Sequence, residues 1–114
     1  MTLQNAARRF LRQLEADGKS PLTIRVYRGE LDRFLHWAGP RVDARKVQPD
    51  RIARFLTHPA SLVSPDGTKR STRTVNRTRT VVRMLFDYLV ERGTIRRSPA
   101  RLRTRRPRTG SSAD

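Results

Sequence analysis

Apolar side chains recur along this chain at intervals of three and four, and glycine and proline break the pattern into four helices with no strand. From Asn5 to Asp17, Ala6, Ala7, Phe10, Leu11 and Leu14 make one stripe, Arg8, Arg9 and Arg12 lie largely away from it, and Gly18 is a natural stop. Ser20-Pro21 supplies a cap and a φ-restricted start for the second helix, with Thr23 as an alternative cap. That helix is expected over Thr23–Ala38, with Ile24, Tyr27, Leu31, Phe34 and Leu35 on one face, Trp37 to one side and Gly39-Pro40 beyond its end. A third, short helix is expected over Pro49–Leu56, burying Ile52, Phe55 and Leu56. Thr57 to Arg70 reads as loop, with His58-Pro59 and Ser64-Pro65-Asp66-Gly67 as turn chemistry.

The fourth helix, Ser71–Glu91, is the longest periodic run. Val75, Thr78, Val82, Leu85, Phe86 and Leu89 share a side; Val and Thr are frequent, but alternation fails where the three-and-four spacing holds. The expected core is Phe10, Leu14, Ile24, Tyr27, Leu31, Phe34, Phe55, Val75, Val82, Leu85, Phe86 and Leu89. The fold class is therefore all-α, a small four-helix bundle. At 114 residues there is room for one domain, placed at 1–100. Composition shifts after Gly93: Arg92 to Arg108 holds eight arginines and no acid, so residues 101–114 read as a flexible basic tail or interdomain linker.

Charge sharpens this picture. Lys plus Arg number 26 against 10 acids, a formal net charge of +16. A soluble surface needs only about 2–8 charges of one sign in a domain this size. The surplus costs self-repulsion and makes sense beside a polyanion. Absence of cysteine excludes a disulfide framework and a thiolate metal site, and agrees with an intracellular, cytoplasmic protein. No membrane span or secretory leader is visible. No cofactor is expected either: there is no Gly-rich phosphate loop, and His36 and His58 have no metal spacing and read as surface residues. The acids are scattered singly, which is no catalytic constellation.

What the chain does carry is a basic helix face. From Gly67 to Phe86 there are six basic residues and no acid; on a helical projection Arg73, Arg77 and Thr80 point away from the Val75–Val82–Leu89 side, with Asn76 and Arg83 on one flank. Arginine suits phosphate or guanine, Asn adenine, and Thr phosphate or a thymine methyl. A solvated face would mix signs to gain i,i+4 pairs. Lys69 and Arg70 precede this face, and Lys19, Arg25, Arg28 and Arg33 give the second helix a weaker basic set, where Glu30 and Asp32 intervene and a solvated face competes with a contact surface.

Ser20-Pro21-Leu22-Thr23-Ile24-x-x-Tyr27-x-x-x-Leu31-x-x-Phe34-x-x-Trp37 resembles the opening of the core-binding domain of tyrosine recombinases and phage integrases. Ser71-Thr72-Arg73-Thr74-Val75-Asn76-Arg77 through Leu85-Phe86-x-Tyr88-Leu89 is similar to that domain's fourth helix. Gly93-Thr94-Ile95-Arg96-Arg97-Ser98-Pro99-Ala100 resembles its exit, with Ser98 where the family usually has Asn. The resemblance implies a SAM-like bundle forming half of a clamp around double-stranded DNA, with the second and fourth helices facing the duplex. It implies DNA contacts at Thr23, Arg25 and Arg28 and at Arg73, Asn76, Arg77, Thr80 and Arg83; the charge pattern adds Lys69 and Arg70. Other recombinase protomers on the DNA are the further partners it implies.

The arginines, histidines and tyrosine nucleophile of that family's catalytic domain would follow the linker, where this sequence stops, so no catalysis is expected of it. Tyr27 and Tyr88 lack such partners and read as structural. Two other classes compete: a small basic RNA- or ribosome-associated protein, disfavoured by the shortage of aromatics for base stacking, and a protein-interaction module.

Overall fold

The structure, a computed structural model, describes residues 1–100; the expected flexible tail, 101–114, lies outside the described residues. The described residues form five α-helices: α1 (Leu3–Ala16), α2 (Pro21–Ala38), α3 (Pro49–Leu56), α4 (Pro59–Leu62) and α5 (Thr72–Glu91). A 3₁₀ turn covers Ala44–Lys46, and the only β pairing among them is two isolated bridges, Thr2 with Asp43 and Val63 with Lys69. The all-α expectation therefore holds, with one helix more than the spacing predicts.

Local chemistry sets the helix ends. Thr2, Ser20 and Ser71 cap α1, α2 and α5, each side chain accepting the N–H three residues on. For α2 the cap is Ser20 rather than Thr23, and Pro21 takes the first helical position. At the C-terminal side of α1, Gly18 has φ +88°, the left-handed conformation that lets Lys19 N–H reach Leu14 C=O at 3.0 Å. Gly39 (φ +105°) turns the chain out of α2 into Pro40, and an added Cβ there would also meet Val42 at 3.0 Å.

The extra helix, α4, lies inside the stretch expected to be loop. His58 caps it through Nδ1, which accepts Ala60 N–H at 2.9 Å, and Pro59 begins it. Four residues are too few to show a hydrophobic period. His58 is exposed, as expected, but the cap gives it a structural role.

The core is continuous across the bundle, and Phe34 lies at its centre, fully buried. Its ring packs edge-on against Phe55 at 5.1 Å and Phe86 at 6.2 Å, joining α2 to α3 and α5. Leu31 and Leu85, whose burial tests the four-helix expectation, are 1% and 0% exposed. Of the expected core, Ile24, Tyr27 and Val75 are only half-buried, because the ends of α2 and α5 that carry them are less covered; the buried positions of α5 begin at Thr78. Trp37 seals an edge of the core, against Phe55 at 5.5 Å and under the Arg51 guanidinium at 5.1 Å. Tyr88 stacks obliquely on Phe10, 5.8 Å away, consistent with a structural role.

Two further ties close the bundle. The N-terminal segment pairs with the α2–α3 loop through Leu3 N–H to Val42 C=O and Ala44 N–H to Met1 C=O, both 2.8 Å, so Leu3 is fully buried and α1 begins a half-turn earlier than the spacing suggests. After α5, the chain turns at Gly93 (φ +77°), packs Ile95 on the core and buries Ala100 to 2% exposure.

Candidate nucleic-acid interface

The exposed basic residues of α5 begin at its first turn. Arg73, Asn76, Arg77 and Arg83 are exposed and Thr80 is half-buried, along a helix whose opening turn contains no acid. Asn76 Oδ1 accepts Arg79 Nη1 at 2.6 Å, which holds its amide by one end. Arg73 and Arg83 have no hydrogen-bond or ion-pair partner among the described residues. On α2, Arg25 and Arg28 are exposed; Arg28 also rims an open groove of about 440 Å³ between α1 and α2. Thr23 is half-buried; its N–H donates to Ser20 Oγ and its Oγ1 accepts from Ser20 Oγ, which helps to fix the start of α2. Lys69 is exposed just before α5.

Arg70 corrects the sequence expectation. It is not on the surface: its side chain is 4% exposed and lies against Glu30, also buried, with Nη2 at 2.9 Å from each carboxylate oxygen. Its Nη1 donates to Ser61 C=O at 2.6 Å and to Thr78 Oγ1 at 3.0 Å, and Thr78 in turn donates to Glu30 Oε1 at 2.6 Å. Arg70 thus locks the loop before α5 to α2, and it cannot offer its guanidinium to a ligand.

Glu30, which the sequence shows only as an acid interrupting the basic set of α2, is the centre of this cluster. Arg77 joins it from α5, with Nε and Nη2 both 3.1 Å from Oε2, while the Arg77 side chain stays 45% exposed. The α5 basic face is thus not free of acid: its acid comes from another helix, about 47 residues back. Arg33, donating to Ala60 and Val63 C=O, lies close enough for Arg70 to weaken its hold on its proton, second to burial and opposed by Glu30. One carboxylate therefore pairs with two guanidinium groups, with that of Arg33 nearby, and the cluster keeps a positive excess.

Burial pushes the Glu30 carboxyl upward, but the Thr78 hydrogen bond and the hydrogen bonds and charge of Arg70, with help from Arg77, together hold it below its usual 4.5. A carboxyl lowered on folding adds stability that is complete above pH 4.5 and lost as pH falls through the folded value. Urea midpoints from pH 7 downward should be flat at first and drop below about pH 4.5, with a shallower drop in Glu30→Gln.

Among the described residues no group of acids and histidines is arranged to hold a metal ion, and no helix is long and apolar enough to cross a membrane. Five α-helices around one core, with no strand among the described residues, make an all-α bundle. The profile of the phage integrase N-terminal SAM-like domain matches residues 7–93, and the chain belongs to that family. In integrases this domain is a non-catalytic one. No curated protein and no solved structure gave a significant match.

Proposed function

We propose that this domain binds double-stranded DNA through α2 and α5 and, in a tyrosine recombinase, helps hold the site where strands are exchanged, beside other protomers on the same DNA. The observation that carries this reading is the exposed arginine set on α5, joined by Arg25 and Arg28 of α2. Both helices begin on a serine cap with no acid in the first turn, so the positive end of each helix dipole adds to the side-chain charge. Single strands are a poorer fit, because every Phe, Tyr and Trp ring among the described residues is at least half-buried and none of them offers an open stacking platform.

The first test is the salt dependence of duplex binding. Engaging about five phosphates gives a log–log slope near −4 to −5. Arg73→Ala should lower that slope by about one unit and weaken all sequences alike if it contacts phosphate. Arg8→Ala, on α1, should do much less. The reading fails if Arg73→Ala and Arg77→Ala bind like the wild type while removal of residues 101–114 abolishes binding; affinity would then reside in those residues.

A further inference from the structure

Arg77 is held in an unusual way for a surface arginine, and the geometry says what the hold is for. Two of the five N–H groups of a guanidinium, Nε–H and one on Nη2, are committed to a single oxygen of Glu30. The other three, both on Nη1 and the second on Nη2, have no partner among the described residues, and the side chain is 45% exposed. One edge of the plane is clamped and the adjacent edge is offered outward. An anion fits there without displacing Glu30.

Glu30 does not depend on Arg77 for its own burial. Arg70 already contacts both of its oxygens and Thr78 donates to one, and those two partners are buried with it. The Arg77 contact is the outermost of the set and the only one facing solvent. Because Arg70 neutralises the carboxylate, the Arg70–Glu30–Arg77 unit keeps one positive charge, and the nearby Arg33 adds to it. An oxyanion completes this set of charges.

We propose that Glu30 is the positioning residue of the interface, clamping Arg77 by its Nε edge so that Nη1 and Nη2 form a preset fork for one backbone phosphate of the duplex. This rests on the DNA-binding reading above. A free arginine must be immobilised when it binds; one held by a buried carboxylate has lost that freedom on folding, so binding is tighter for the same contact. A lysine offers a point charge and has no second edge to be held by.

The test is a double-mutant cycle on the full chain, read by fluorescence anisotropy with a labelled duplex of arbitrary sequence, since a phosphate contact ignores base identity. With Arg77 in place, Glu30→Gln should weaken binding about three- to tenfold, the order set by immobilising one long side chain. In the Arg77→Ala background the same change should cost less than about twofold. An equal loss in both backgrounds means that Glu30 acts only through the fold, and overturns the proposal. Wild-type binding that is unaffected by Arg77→Ala rejects the contact itself, and with it the α5 reading. Thermal melts accompany each variant. Should Glu30→Gln not fold, Arg77→Lys decides: binding as weak as that of Arg77→Ala supports the fork, and wild-type affinity overturns it.

Discussion

Arg70→Ala should cost the fold about 3–5 kcal/mol, the loss expected when one partner of a buried ion pair is removed and the other stays behind. Glu30 would remain nearly inaccessible with only Thr78 and the solvent-facing Arg77, and Ser61 C=O would lose its donor. A domain of this size is stable by only about 5–15 kcal/mol, so the melting midpoint should fall by tens of degrees. Differential scanning calorimetry measures it directly. A control separates the hold from the charge: replacing Glu30, Arg70 and Thr78 together by apolar residues of similar volume should recover much of the loss, because no buried charge is then left unpaired. A loss below about 1 kcal/mol in Arg70→Ala would show that water reaches Glu30 and that the cluster is not closed.

Phe34→Ala should destabilise by a similar amount, about 3–5 kcal/mol, for a different reason. Its ring is fully buried and touches Phe55 and Phe86, so truncation forfeits two edge-on aromatic contacts and leaves a cavity where α2, α3 and α5 meet. Urea unfolding should show a lower midpoint with little change in slope. Phe34→Leu, which refills much of the space, should cost distinctly less. Truncating Leu22, exposed at the start of α2, should be nearly silent on the same scale.

The contrast between these two sites shows which parts of the molecule were legible in the sequence. Phe34 announced itself: it stands on the stripe Ile24–Tyr27–Leu31–Phe34, and helical period alone places it inside. Helix ends were nearly as plain, since Ser20-Pro21, Ser71, Gly18 and Gly39 carry short-range chemistry that does not depend on the rest of the chain. Leu3 and α4 were hidden for opposite reasons. Leu3 is buried by a backbone tie to residues about 40 positions away, and α4 is shorter than the period that would reveal it.

For the site, composition and period picked out the exposed face of α5 and left the role of Glu30 hidden. A lone glutamate on a helix with arginines nearby looks solvated. Nothing local marks that its partners stand 40 to 48 residues away on another helix and the loop before it. The same blindness put Arg70 on the surface with Lys69, its neighbour. In a chain so rich in arginine, sequence counts the charges but does not sort those that face outward from those that brace the interior.

The buried Ala100 has a mechanical consequence. The chain is fastened twice beyond α5, by Ile95 against the core and by Ala100 deeper in it, with the turn at Gly93 between these points and the helix. A load applied to the chain past Ala100 is therefore borne first by the Ala100 seat, then by Ile95, and reaches the last turn of α5 only after both have peeled away. The two fastenings act in series as a strain relief, and the arginines of α5 keep their alignment while the polypeptide beyond them is tugged.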